Sequence, residues 1–254
     1  MNTNTAEFQA MMRVHAGLPR QGPGSVKTSV KALQLLPAIG KEAVIFDAGC
    51  GPGLATVVLA EKLQQKIIAV DLSEDFLKQV RRNGIAHGVA NLIETRCGDM
   101  AQLDAAPNTV SLIWSEGAVY CIGFDNAIRT WRPLLAPGGM IACTELSWIQ
   151  EKRSNQPREF WQNAYPAMRS IDENLGAIKS NGYENLGHFI LPESCWWDEY
   201  YNPLSLNVRK LESEARQDPY LAAASSNASA EIELYREHSE EYGYVFYLMK
   251  TTGP

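Results

Sequence analysis

Val44-Ile45-Phe46-Asp47-Ala48-Gly49-Cys50-Gly51-Pro52-Gly53 is a short apolar run that ends in an acid and passes into glycines at alternate positions. The run predicts a buried strand, and the segment Leu54 to Gln64 behind it reads as a helix. Alternate glycines permit positive φ and let a ligand approach bare backbone. A strand feeding such a loop, with a helix N-terminus behind it, is the nucleotide-binding corner of an open α/β sheet. The dinucleotide fingerprint Gly-x-Gly-x-x-Gly would need its third glycine at position 54, which is Leu54. That departure disfavours NAD-dependent oxidoreduction. Taken alone, the glycine cluster is also compatible with a plain tight connection between strand and helix.

The rest of the chain repeats the pattern. Lys66-Ile67-Ile68-Ala69-Val70 ends in Asp71, followed by Leu72 and Ser73. Asp71 stands close to the roughly 20-residue distance at which an acid ending the second strand reaches a ribose. A carboxylate can accept hydrogen bonds from both vicinal hydroxyls of one ribose. With Ser73 it can equally cap the next helix, Glu74 to Asn83. A third run, Leu92 to Cys97, ends in Gly98-Asp99-Met100, and a fourth, Thr109 to Trp114, leads into Ser115-Glu116-Gly117-Ala118. Trp131 to Gly139 stops a helix with Pro-Gly-Gly before a fifth run, Met140 to Glu145.

The ordered set Asp-x-Gly-x-Gly-x-Gly, Asp71, Gly-Asp99 and Pro-Gly-Gly over residues 44–146 resembles the class I S-adenosylmethionine (SAM) methyltransferases. The aromatic C-terminal half, with Ser-Glu-Gly-Ala-Val-Tyr at 115–120 and Glu-Leu-Ser-Trp at 145–148, is similar to uncharacterised bacterial small-molecule methyltransferases of the YjhP-like type. The resemblance implies a Rossmann-like, seven-stranded, mostly parallel sheet with helices on both faces, an antiparallel last strand and a helical insertion as lid. It implies SAM as the cofactor, bound by Asp47, Gly49, Cys50, Gly51, Gly53, Asp71, Leu72 and Ser115, with Asp99 near the adenine amino group and Met100 on the ring. The expected activity is methyl transfer to a small-molecule oxygen or nitrogen nucleophile. A non-catalytic SAM-binding or regulatory protein on the same fold is the alternative, because fold alone does not decide activity.

Composition narrows the partners. A chain of 254 residues with βα alternation through residue 146 is expected to be one α/β domain: a cap over 1–43, a nucleotide-binding core over 44–146, and insertions with the last strands over 147–254. The net charge of −6 argues against a nucleic-acid substrate, which normally meets a basic face. Many methyltransferases acting on base amines or protein glutamine carry Asn/Asp-Pro-Pro-Tyr/Phe after the fourth strand. Ser115-Glu116-Gly117-Ala118 stands there instead and favours a small acceptor. No apolar run reaches the roughly 20 residues of a membrane span, and Met1 to Thr5 show neither the basic nor the apolar part of a secretory signal. Five cysteines without a Cys-x-x-Cys pair and four scattered histidines suggest reduced cytoplasmic thiols and no metal site. A homodimer is left open.

Outside the core, a helix is expected near Thr5–Ala16, then the loop Gly17 to Ser25, with Ser25 capping a helix to about Leu36. Gln21, Gly24 and Ser25 are candidates to enclose the methionine end of SAM; a turn followed by a cap is the other reading. Arg20 reads as a surface arginine, with pairing to a carboxylate as the alternative. Gly187–Leu191 and Tyr242–Lys250 read as the last strands. The roughly 50 residues between them form a lid with helices at 204–216 and 228–241, broken at Ala222 to Ser226. Glu116 and Glu145, at adjacent strand ends, are the candidate catalytic acids. Tyr120, Trp148, Tyr165 and Trp196 are the candidate walls of an acceptor pocket. Helix caps for the acids and plain core packing for the aromatics are the competing readings.

Overall fold

The computed structural model describes residues 5–253; Met1 to Asn4, read above for a secretory signal, lie outside them. The chain begins with α1 (Ala6–Val14), capped by Thr5, and α2 (Val26–Leu35). Ser25 caps α2 in a box with Thr28, as its hydroxyl accepts from the Thr28 N–H while the Thr28 side chain answers the Ser25 N–H. Then follow β1 (Val44–Ala48), α3 (Leu54–Leu63), β2 (Ile67–Asp71), α4 (Glu74–Ala86), β3 (Ile93–Cys97), β4 (Val110–Ser115), α5 (Phe124–Trp131) and β5 (Leu135–Trp148). The first two strands are apolar up to Asp47 and Asp71 because both sheet faces are covered. Helix α3 is buried from Ala55 to Ala60, on every side, which is why its sequence shows no polar face.

The second half holds α6 (Asn155–Ala164), β6 (Arg169–Ser170), α7 (Ile171–Ser180), β7 (Tyr183–Ile190), α8 (Glu193–Trp196), a π-helical turn Trp197–Tyr201, α9 (Asn202–Ala215), α10 (Pro219–His238) and β8 (Tyr242–Thr251). The sheet order is β3-β2-β1-β4-β5-β8-β7, with β8 antiparallel to both of its neighbours. The last strand is therefore antiparallel, as the resemblance implied. The sheet has eight strands where seven were expected; the addition is β6, whose two residues pair with Ser147 and Trp148. A strand that short leaves no periodicity to read. Strand β1 pairs in parallel with β2 on one side and β4 on the other, so the strand order reverses there and a crevice opens at the carboxyl ends.

The two faces of β8 serve different layers. Tyr242, Tyr244 and Phe246 pack with the insertion helices, whereas Val245, Tyr247 and Met249 pack against α5 and α7. The expected break at Ala222 to Ser226 is continuous helix. Asp218 caps α10 by accepting from the Tyr220 and Leu221 N–H groups, and Pro219 occupies the first turn, where a missing N–H costs nothing. Leu221, Ala228, Ile232 and Tyr235 then form one buried stripe through the small polar residues. Helix α1 lies against α9 and α10, held by Arg13 to Glu214 and Asp218 and by Asn207 to the Val14 and Ala16 carbonyls. Among the described residues no helix is long and apolar enough to cross a membrane.

Candidate active site

The crevice is built on Gly49, Gly51 and Gly53, all at positive φ. A Cβ on Gly49 would lie 2.5 Å from the Ala118 Cβ and 3.1 Å from the Met100 sulfur, so backbone must pass there. Gly51 differs: its Cβ would meet nothing nearer than the Gln21 Cγ at 3.8 Å. Its bare backbone faces space beneath the N-terminal loop. Gly53 starts α3. Cys50 is buried, and burial raises its thiol well above the ordinary value.

Asp47, the last residue but one of β1, accepts from the Thr56 hydroxyl at 2.6 Å. Burial pushes it up to about 7, against the Thr56 hydrogen bond, with the nearby Glu116 carboxylate raising it further. It ties β1 to the first turn of α3. Asp71, ending β2, accepts from the Gly51 N–H at 2.9 Å and from the Ser73 N–H at 2.9 Å. Its carboxylate is thereby fixed beside the glycine loop, with lone pairs remaining on both oxygens. Leu72 is exposed beside it. Asp99 is exposed and caps the short turn after β3 through the Ala101 N–H. Met100 is buried against Gly49, with its carbonyl accepting from the Trp131 indole. Ser115 is buried and donates to the Ala48 carbonyl at 2.8 Å, joining the ends of β4 and β1.

Glu116 carries the N-terminal segment. Its Oε2 accepts from Arg20 at 2.7 Å, and its Oε1 accepts from Ser29 at 2.6 Å and the Trp114 indole at 2.8 Å. Arg20 is not the surface arginine expected; the two charged side chains are 7% and 4% exposed. Gly24 makes room, since a Cβ there would stand 2.6 Å from an Arg20 nitrogen. Gln21 reaches back toward the His15 carbonyl, and Ser25 caps α2 beside Cys195.

Glu145 lies in β5, past the end of β4, and is 2% exposed. Its Oε1 accepts from the Tyr165 hydroxyl at 2.6 Å, while Oε2 has no hydrogen-bond partner. Burial raises its carboxyl to about 8, against the Tyr165 bond and the Arg169 charge. Tyr120 is exposed and meets Tyr165 edge-on with centroids 6.2 Å apart. The Cys121 thiol feels both Asp71 and Glu145, so the turn after β4 links the glycine loop to the Glu145 region. Trp148 and Trp196 sit deeper. Trp196 stacks on Tyr235 at 4.1 Å, and both tryptophans border Tyr242 in the core of the insertion layer. Among the described residues no cluster of three His, Cys, Asp or Glu side chains is placed to hold a metal ion.

Residues 45–139 match a family model described as a methyltransferase domain. Over those residues the chain is similar to methyltransferase domains. Two solved structures share its fold over nearly the whole length. A SAM-dependent methyltransferase from Geobacter sulfurreducens, solved with S-adenosyl-L-homocysteine, has a TM-score of 0.79 at 19% identity, covering 96% of this chain and 98% of its own. YjhP from E. coli has a TM-score of 0.82 at 18% identity, covering 96% and 100%. Among curated proteins, the ribosomal protein arginine N-methyltransferase rmt3 of Schizosaccharomyces pombe is 24% identical over 59% of this chain and 28% of its own length. The chain spans only a quarter to under half of the first curated relatives it matches, at 28%, 25% and 43%.

Sequence reasoning missed Thr56 and Ser29, ordinary helix residues whose roles need the tertiary contact.

Proposed function

We propose that this protein transfers the methyl group of SAM to an oxygen or nitrogen nucleophile of a small molecule, leaving S-adenosylhomocysteine. The observation that carries the reading is the Gly51 cradle at the β1/β4 crevice, open on its Cβ side, with the Asp71 carboxylate pinned beside it. Asp71 would take the ribose hydroxyls, Asp99 and Met100 the adenine end, and Gln21, Gly24 and Ser25 the methionine end. Bound SAM supplies a methyl already made electrophilic by its sulfonium, so the protein's work is alignment and exclusion of water. Of the two candidate acids, Glu145 has an oxygen left for an acceptor, whereas Glu116 is occupied by Arg20, Ser29 and Trp114. A small acceptor is supported by the enclosed position of Glu145 and by the net charge of −6. All five cysteines are unpaired, which suits a reducing compartment such as the cytoplasm.

Calorimetry with SAM, S-adenosylhomocysteine and NAD tests the cofactor. Asp71→Ala should weaken SAM binding by about 1.5–3 kcal/mol, the scale of hydrogen bonds to a charged group; unchanged affinity would remove Asp71 from the site. Labelled SAM offered to a metabolite extract and to a protein fraction then separates the acceptor classes. Tight SAM binding without transfer to either favours the non-catalytic alternative.

A further inference from the structure

The chain between α1 and α2 belongs to no helix or strand, yet it closes over the Gly51 cradle, with the Gln21 Cγ 3.8 Å from where a Gly51 Cβ would stand. With the first turn of α4, which follows directly on Asp71, it borders a cleft of about 270 Å³ lined by His15, Gly17, Gln21, Asp75 and Phe76. Arg20 ties this segment to Glu116 on the sheet side. Further ties run to the insertion. Asn207 of α9 gives its amide hydrogens to the Val14 and Ala16 carbonyls, at 3.0 and 2.8 Å, where α1 has run out of donors of its own. The His15 Nδ1 lies 2.9 Å from the Met11 carbonyl, which can only accept. Nδ1 therefore carries the proton, and Nε2 accepts from the Tyr200 hydroxyl at 3.0 Å. Burial holds this imidazole below its ordinary value, which suits a neutral ring. Tyr200 stands in the π-helical turn, a distortion frequent at functional sites. The Gly24 N–H reaches the Cys195 carbonyl at 3.4 Å.

Building on the proposed methyl transfer, we infer that Asn207 and Tyr200 are positioning residues for the cofactor: from the insertion they hold segment 15–25 in place over the glycine loop. Gly17, Gly22 and Gly24 give this backbone many conformations when it is free. A loose segment would have to be ordered by the ligand, and the ordering entropy would be subtracted from affinity. Anchors at both sides of the segment remove that cost before SAM arrives. Neither Asn207 nor Tyr200 needs to touch the cofactor to act in this way. The exposed Arg13 contacts to Glu214 and Asp218 join the same elements but lie in water, where such pairs contribute little. The insertion, expected as a lid on the acceptor, thereby also shapes the cofactor side of the crevice.

The test is calorimetry with S-adenosylhomocysteine on the full chain, beside hydrogen exchange without ligand. Asn207→Ala and Asn207→Asp should each weaken binding about tenfold, the scale of a lost pair of hydrogen bonds. Aspartate keeps the shape but cannot donate, so the two variants should agree. Tyr200→Phe should weaken binding by a smaller factor, since it removes one bond instead of two. In each variant the amides of segment 15–25 should exchange faster than in the wild type, while those of β1, β2 and β4 keep their protection. Gln21→Ala combined with Asn207→Ala should lose less affinity than the two single losses together, because both act through one segment. A merely structural Asn207 would lower the melting temperature and leave S-adenosylhomocysteine affinity intact. That result, or wild-type exchange at 15–25 in both Asn207 variants, overturns the inference and leaves methyl transfer standing. A wild-type chain that binds no S-adenosylhomocysteine sinks the methyl-transfer reading, and the positioning role with it.

Discussion

Gly49 and Gly51 sit two residues apart in one loop and are glycine for different reasons. Gly49 has no room, because the Ala118 and Met100 side chains occupy the place of a Cβ. Gly51 has room, and that room is where a ligand would lie. Both residues sit at positive φ, which alone costs an alanine about 1–2 kcal/mol. Gly49→Ala should add overpacking of about 1–3 kcal/mol to that and destabilise the fold. Gly51→Ala should lose only the φ cost in stability, yet lose SAM affinity disproportionately. Urea unfolding beside SAM calorimetry checks the pair; equal effects on stability would mean that the loop, rather than a ligand, needs both. The alternation of glycine was legible in the sequence, but which glycine faces the ligand was not, since it depends on Ala118 and Gln21 arriving from distant elements.

The N-terminal elements are attached to the crevice by charge. Arg20 and Glu116 come from a loop and from the end of β4, and neither faces water appreciably. Removing one partner leaves the other buried and uncompensated, at a cost of about 3–5 kcal/mol, whereas removing both costs less than the sum. Arg20→Met and Glu116→Gln should therefore each destabilise strongly, and the double variant should recover much of the loss in a denaturation cycle. Additive losses would show that the two do not act as a pair. Asp47 also lies within the field of this pair, so the clamp and the glycine loop are electrostatically joined. Strands β1, β2 and β4 were readable because each is a short buried run ending in an acid or turn. Arg20 read as a surface residue because its partner is distant in sequence, at position 116. The helix through Ala222 to Ser226 was missed because small polar residues signal a break locally, while the Asp218 cap and the Leu221–Tyr235 stripe outweigh them.

Across the whole molecule the carboxylates whose values are shifted divide into two groups with opposite dependence on pH. Half-buried and exposed acids with partners, such as Glu94 with Lys66 and Arg96 and Glu173 with Ser170, are held below the ordinary value. Their stabilisation is present above the unfolded value and is lost as pH falls. The buried acids at the crevice do the reverse. Asp47 is raised from 3.8 to about 7 and Glu145 from 4.5 to about 8, in both cases mainly by burial. The folded state then binds more protons than the unfolded one between the two values, so stability declines as pH rises through that window. Glu145 faces Tyr165 and Arg169, with the Cys121 and Cys143 thiols and the Tyr120, Tyr244 and Tyr247 phenols nearby. Those thiols and phenols are all raised, so Arg169 is the only charged neighbour among them below about pH 8. The melting temperature should therefore be highest near about pH 4–5 and fall toward about pH 8.5. Glu145→Gln removes one of the four raised acids, Asp47, Asp71, Glu145 and Glu231. Its melting temperature should gain on the wild type as pH rises, by an amount equivalent to a few kcal/mol at most. Parallel curves for the two proteins across that range would show that Glu145 is ionised throughout and that water reaches its free oxygen.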